Sequence, residues 1–389
     1  MEFHCFHLMP WPYLPPDFDA RYSSAWVTCP NALYDPERGH ALYHRYLDEL
    51  ELAERLGFDG VCVNEHHQTA YGLMPAPNVI AATLARRTQR IKIALMGNAI
   101  PLRDHPLRIA EEVAMLDVIT GGRIISGFVR GIGCEYHSFG VNPTWSRERF
   151  EEGIDLIVRA WTEPGPWSHW GKHYRVRYVN PWPRPLQQPH PPVWLPGTGS
   201  IETIETAVAR RWPYVRTYDT IDDIAVMYDD LRERARRQGY EPSPDQIGWM
   251  VPIYVADTDA KAIAEAGPHV EYLFHWLSKR PAEFSQPPGY VTPRSTRRGL
   301  EVARSRSVAE LNARGIVVFG SSETVRQRLA EAHRRLGYGK LVGLLQFGSL
   351  PHEQTVANMT AFAEEILPFV RALDGPPASA ATAPREVPA

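Results

Sequence analysis

Two rhythms alternate along the chain. Short, nearly continuous apolar runs recur, and each is followed by a longer stretch whose apolar positions fall three or four apart. The runs are EFHCFHL (2–8), GVCVN (60–64), IKIAL (91–95), RIISGF (123–128), PVWLP (192–196), PYVRTY (213–218), WMVPIYVA (249–256) and LVGLLQF (341–347). Their length and their β-branched and aromatic content predict strands. The periodic stretches predict helices at about 40–56, 77–88, 106–119, 146–162, from 200 onward, 220–238, 258–276 and 353–374. In the first of these, Tyr43, Tyr46, Leu47, Leu50 and Leu52 gather on or near one face. Gly57 then stands where a helix C-terminus favours a left-handed residue.

Strands that are apolar throughout are buried on both faces, and regular strand–helix alternation calls for a parallel sheet. Eight such units predict an α/β fold of the closed (β/α)8 TIM-barrel kind with insertions. The absence of GxGxxG after the first strand counts against a dinucleotide-binding open sheet. One domain is predicted over 1–374. Two segments break the rhythm: 163–192, rich in Pro, Trp and His, and 277–314, rich in Pro, Ser and Arg. Loops of that length are usually functional or disordered. The second is expected to act as a lid over the barrel mouth, with a short helical piece near 299–312. GIVVFGSSETVRQRL (315–329) adds a strand-like stretch and a helix. The tail GPPASAATAPREVPA (375–389) has the composition of a disordered segment.

Composition narrows the function only by exclusion. Hydrophobic content of 44%, charged content of 22% and a formal net charge of -3 are those of an ordinary globular protein, with no bias toward nucleic acid or an anionic membrane. No apolar run reaches the roughly 18 residues a membrane span needs. The beginning MEFHCFHLMPWPY has neither the basic nor the apolar region of a signal peptide, so a cytoplasmic location is expected. Cys5, Cys29, Cys62 and Cys134 form no CxxC pair and suggest reduced thiols, with no metal site.

In a barrel enzyme, chemistry sits where strands end and βα loops begin. After the second strand comes Asn64-Glu65-His66-His67-Gln68. Neighbouring residues point opposite ways, so His66 and His67 are not expected to chelate one metal, but either could act as acid or base. After the third strand, Gly97 would let a flat ligand approach the backbone, and Asn98 offers both donor and acceptor to the edge of a heterocycle. After the fourth, Arg130 beside glycines suits a phosphate. After the fifth, Gly197, Thr198, Gly199 and Ser200 precede a helix whose N-terminus favours an anion. Each feature has a bland reading as loop or cap chemistry. Together they describe a phosphorylated flat cofactor lying across the barrel mouth. Nothing in them resembles the nucleophile–base–orienter set of a hydrolase.

Three blocks carry a family resemblance. GFDGVCVNEHHQTAYGL (57–73), MGNAIPLRDHPLRIAEEVAMLDVITGGRIISGFVRG (96–131) and GSSETVRQRL (320–329) resemble the luciferase-like flavin monooxygenases, and the likeness runs from Met1 to about residue 372. The resemblance implies that His66 is the catalytic histidine with His67 its neighbour. It implies that Phe6 lies near the flavin, that Met96–Asn98 forms a bulge that often holds a non-prolyl cis peptide, and that Arg130 binds phosphate with help from Gly197–Ser200. Val129 stands where luciferases proper carry a reactive cysteine, and the Gly133–Tyr136 turn is one residue shorter; both count against light emission.

The activity so implied is a monooxygenase. Reduced FMN, supplied by a separate flavin reductase, and O2 would form a C4a-peroxide that gives one oxygen atom to a small organic substrate. A homodimer is expected, and neither nucleic acid nor membrane is a partner. The alternative is a deazaflavin-dependent hydride-transfer oxidoreductase on the same fold. A flavin-sequestering protein and a metal hydrolase using His4 and His7 are remoter, since HxxH is not the HxH of barrel hydrolases. Trp11, Tyr13, Trp167, Trp170, Trp182 and Trp194 suggest an apolar or aromatic substrate, or else rim packing. Hydroxylation, Baeyer–Villiger insertion and aldehyde oxidation are not separable from these residues.

Overall fold

The computed structural model describes residues 1–280, 282–290 and 307–373. The tail expected to be disordered and the middle of the expected lid lie outside the described residues. Among the described residues twelve strands follow one another: β1 (Glu2–Phe6), β2 (Gly60–Val63), β3 (Lys92–Leu95), β4 (Asn98–Ala99), β5 (Ile124–Val129), β6 (Trp167–Trp170), β7 (Arg175–Val179), β8 (Val193–Gly197), β9 (Tyr214–Thr217), β10 (Ile247–Val255), β11 (Val318–Gly320) and β12 (Lys340–Leu344).

Strands β1, β2, β3, β5, β8, β9, β10 and β12 pair in parallel in that order, and β12 returns to β1, so eight strands close a TIM barrel. The predicted units and their order are all present, with boundaries moved by up to four residues, as where the helix expected from 40 starts at Pro36. Helix starts follow local capping chemistry. Asp35 accepts from the amides of Glu37 and Arg38 ahead of Pro36–Arg55, and Ser200, Thr220, Thr258 and Ser321 cap later helices in the same way. Pro106–Thr120 stops on Gly121, whose φ of 67 needs no Cβ-free space beyond its own.

Three local expectations need correction. The stretch Gly133–Tyr136 is the first part of a helix, Gly133–Phe139, because Glu135 folds back to accept the Ile132 amide and closes its first turn. The segment 163–192 is not irregular throughout: β6 and β7 form an antiparallel hairpin, with Trp167, His169 and Val176 on its covered side. The helix expected over 258–276 runs as Asp259–Glu271 and then widens into a π-helical turn, Tyr272–Leu277.

Register fixes which residues face the barrel axis, since parallel neighbours in register share a face. Glu2 lies opposite Lys340, His4 opposite Gly60, and Gly60 opposite Lys92. Their side chains meet inside. Lys92 Nζ is 2.6 Å and Lys340 Nζ 3.2 Å from the Glu2 carboxylate, and His4 Nε2 is 3.3 Å from it. The His4 hydrogen bond, with the two ammonium groups, holds the Glu2 carboxyl well below the usual range despite partial burial. The Trp194 ring packs against His4 at 4.8 Å. The N-terminal end of the barrel is thus filled by an ion-paired polar layer in which His4 Nδ1 alone lacks a partner, leaving the C-terminal end for function.

Candidate active site

The loop after β2 brings two histidines to two different carboxylates. His67 Nε2 is 2.8 Å from Glu65 Oε1, and its ring lies edge-on to Phe139 at 4.6 Å. Arg103 closes on the other Glu65 oxygen at 2.6 Å. Burial pushes the Glu65 carboxyl up, but the His67 hydrogen bond and the Arg103 charge outweigh it and leave the group below its usual range. His66 turns the other way. Its Nδ1 is 3.3 Å from the buried Glu135 Oε1, which also accepts the His67 amide at 3.0 Å. Trp26 and Tyr71 stand edge-on to the His66 ring, at 5.2 and 5.0 Å. A carboxylate at Nδ1 fixes the tautomer, so Nε2 is the nitrogen left for chemistry. Each of the expected pair thus has one ring nitrogen on a carboxylate and one left over: Nε2 on His66, which faces Trp26 and Tyr71, and Nδ1 on His67, which lies against Phe139.

The floor of the mouth carries buried polar groups without partners. Met96–Gly97 is a cis peptide, as the resemblance implied. Asn98 is fully buried, and neither its Oδ1 nor its Nδ2 has a hydrogen-bond partner. The same holds for Asn64 Oδ1, Thr217 Oγ1 and both polar atoms of Gln346. Alternation from the register above turns Asn64, Thr217 and Gln346 inward at the strand ends, beside Phe6. Leaving such a group unmade costs about 1–3 kcal/mol. Several in one layer fit the donor and acceptor edge of a heterocycle. Gly97 has a different role from the one expected. A Cβ there would lie 2.5 Å from the Gly127 carbonyl carbon, so the residue lets two strands touch and does not clear space for a ligand.

The rim beyond Glu135 is cationic. Arg130 Nη1 donates to Ser146 Oγ at 3.2 Å and to the Tyr290 carbonyl at 3.1 Å, and its guanidinium lies 4.4 Å from the Tyr290 ring centre. Among the described residues no carboxylate pairs with it. Beside it stands Arg147, which sequence reasoning missed. Arg147 Nη2 reaches Ser200 Oγ at 3.0 Å and Glu202 at 3.2 Å, and Nη1 reaches Thr203 Oγ1 at 3.3 Å. Burial lowers the Arg147 pKa and the neighbouring Arg130 charge lowers it further. Two guanidiniums beside a Ser-capped helix N-terminus have the chemistry to hold a dianionic phosphate, and Ser200 stands among them. Gly199 does not offer a free amide, since its N–H donates to Tyr214 Oη at 2.8 Å, and Gly197 lies against the same ring. Thr198 is exposed and makes no hydrogen bond to the chain among the described residues.

The start of the expected lid lies on this site. The carbonyl of Ser285 and the ring of Pro287 crowd Gly133, Phe284 meets His137 at 4.6 Å, and Tyr290 Oη donates to the Gly131 carbonyl. The aromatic residues expected to mark the substrate site scatter instead. Trp194 fills the far end of the barrel, Trp167 and Trp170 sit on the hairpin and Trp182 just beyond it, and of the six only Trp11 and Tyr13, whose rings meet at 5.2 Å, lie in the loop after β1. Trp26, Tyr71, Tyr218 and Phe274 gather at the histidines in their place.

Known proteins share this arrangement to different extents. Residues 27–338 match the family described as luciferase-like monooxygenase. The oxygenase component of a flavin-dependent trigonelline monooxygenase from Acinetobacter baylyi is 25% identical over 344 residues, 86% of this chain and 91% of that protein. Uncharacterized protein y4wF of Sinorhizobium fredii is 36% identical over 163 residues, 41% of this chain and 47% of its own, so that likeness spans about half its length. Among solved structures, the oxygenating constituent of 3,6-diketocamphane monooxygenase from Pseudomonas putida, a type II Baeyer–Villiger enzyme in complex with FMN, superimposes with a TM-score of 0.71 at 17% identity, covering 95% of this chain and 98% of that one. An F420-dependent secondary alcohol dehydrogenase superimposes with a TM-score of 0.66 at 16% identity, covering 95% and 99%. At these identities the structures speak for the fold alone.

Proposed function

This chain belongs to the luciferase-like monooxygenase family, and from that membership we propose that it is the oxygenase component of a two-component monooxygenase that takes reduced FMN from a separate reductase. Bound reduced FMN supplies the two electrons with which O2 is split, one atom passing to a small organic substrate and the other to water. Arg130, Arg147, Ser200 and Thr203 hold the phosphate. Asn64, Asn98, Thr217 and Gln346 meet the polar edge of the ring system, near Phe6. His66 keeps a proton at Nδ1 for Glu135 and exchanges one with the reacting oxygen at Nε2. Residues 284–290, which pack on Gly131, Gly133 and His137, exclude water from this side of the mouth. The observation that carries the reading is the pairing of two phosphate-ready arginines with a layer of orphaned polar groups across one barrel mouth. The enzyme works as a homodimer in the cytoplasm on this reading. Val79, Met115, Val118 and Ile119, exposed on helices of the early repeats, give it an apolar face to bury. Among the described residues no helix is long and apolar enough to cross a membrane.

The second reading, hydride transfer with a deazaflavin coenzyme, is favoured by the F420-dependent structural neighbour. Equilibrium dialysis under nitrogen separates the two. Reduced FMN should be retained at micromolar concentration and reduced deazaflavin should not. On admitting air, the His66→Asn protein should bind flavin as the parent does but release peroxide at least about 10-fold faster, by loss of proton control. Retention of deazaflavin alone would replace this reading with the second.

A further inference from the structure

One cation at the mouth has no task in the flavin reading. Arg280 stands at the root of the lid, exposed at its tip, with no ion pair among the described residues. Its guanidinium lies 5.8 Å from the centre of the Trp26 ring. That ring in turn lies 5.1 Å from Tyr71, and both rings pack on His66. Tyr71 Oη donates to Tyr218 Oη at 3.3 Å, and Phe274 stands edge-on to Tyr218 at 5.6 Å. The result is an aromatic wall beginning at His66 and ending at a positive charge. Burial raises the pKa of the Tyr71 and Tyr290 hydroxyls, and the Arg280 charge acts against it at both.

The backbone that leads to Arg280 is held in place. Trp26 Nε1 donates to the Leu277 carbonyl at 2.7 Å, and Ser24 Oγ and the Ala25 amide both donate to the Lys279 carbonyl at 2.9 Å. Lys279 is anchored through its ion pair with Asp19. The Ala25 carbonyl accepts from the Ala70 amide and from Thr69 Oγ1, both at 3.0 Å, which ties the same strap to the loop carrying His66. The backbone just before Arg280 is therefore fixed relative to His66. Pre-organisation of this kind marks a binding group, because little freedom is lost when a ligand arrives.

We propose that Arg280 receives the carboxylate of a planar, unsaturated organic acid, whose ring enters beside Tyr71 and the partly exposed His66, over the buried Trp26, with its reacting carbon toward His66. Arg280 is a specificity-determining residue on this view. A guanidinium pairs with a carboxylate in bidentate fashion, and a neutral amide of the same shape cannot replace that pair. The inference rests on the monooxygenase reading for the direction of the ring, but not for the anion.

Benzoate and its neutral isostere benzamide are the probes. Their binding to the full-length protein is measured by titration calorimetry, with and without saturating FMN, for the parent, Arg280→Ala and Arg280→Lys. Benzoate should bind the parent more tightly than benzamide. Arg280→Ala should lose at least about 10-fold in benzoate affinity and nothing in benzamide or FMN affinity, and Arg280→Lys should recover part of the loss. Equal benzoate binding by parent and Arg280→Ala, or no benzoate binding by the parent at millimolar concentration, overturns the proposal. If the alanine variant loses FMN instead, Arg280 serves the cofactor and the proposal is equally wrong. If FMN fails to bind any of the three while benzoate behaves as expected, the flavin reading falls and the carboxylate site stands.

Discussion

The two ends of one barrel treat polar groups in opposite ways. At the N-terminal end Glu2, His4, Lys92 and Lys340 neutralise one another, and only His4 Nδ1 goes without a partner. At the C-terminal end Asn64, Asn98, Thr217 and Gln346, as buried as His4 and Lys340, keep several atoms unpartnered, beside two arginines of which only Arg147 pairs with a carboxylate among the described residues. Burial alone therefore does not mark a functional site. What separates a plug from a site is whether the buried polar inventory closes on itself.

That contrast can be broken by substitution. The largest effect is expected at Arg147→Ala, which removes a partly buried guanidinium from the phosphate site. FMN affinity should fall by about 2 kcal/mol, roughly 30-fold, while affinity for riboflavin, which has no phosphate, should not change. A parallel loss for both flavins, measured by fluorescence quenching, would move the phosphate elsewhere.

Next comes Glu2→Gln at the closed end, where two ammonium groups would be left facing a neutral amide. Glu2 is one-third exposed, so solvent screens part of the loss, and about 1.5 kcal/mol of folding stability is expected to go, with FMN affinity intact. The Glu2 pKa is lowered on folding, so its contribution is present above the unfolded value near 4.3 and is lost as pH falls through the folded one. The stability gap between parent and Glu2→Gln, from urea midpoints, should hold from pH 8 to 6 and shrink below about pH 4. A gap that grew on acidification would contradict the pairing.

The smallest effect has the opposite sign. Thr217→Val removes an orphaned hydroxyl at nearly constant volume and should raise the stability of the flavin-free protein by about 0.5 kcal/mol while weakening flavin binding. A variant destabilised by 1 kcal/mol or more would show that the hydroxyl is satisfied after all and that the two layers do not differ.

The barrel was legible because its signal is redundant: eight apolar runs and eight periodic stretches each repeat the same message. His66, Asn98, Arg130 and Ser200 were legible because strand ends in a barrel point at one place. Arg147 was not, because it sits one residue into a helix, outside the strand-end loops, and only its nearness to Ser200 in space reveals it. Glu135 was hidden in what reads as a Gly-rich turn until its own carboxylate closes a helical turn there. Trp26 and Arg280 lie in long connections without periodicity, and the contacts that join them span 251 residues of sequence in the Trp26–Leu277 hydrogen bond. Gly97 was found for the wrong reason, since a glycine in sequence does not say which neighbour needs the room.

The ion-paired plug has a kinetic corollary. With Glu2, Lys92, Lys340 and the Trp194 ring filling the axis at one end, traffic has a single doorway. If flavin lies on the floor and an organic acid rests above it beside His66, whatever enters last must depart first. Turnover then becomes an ordered queue, flavin before substrate and product before spent flavin, and the rate of clearing the doorway sets how soon a fresh reduced coenzyme is admitted.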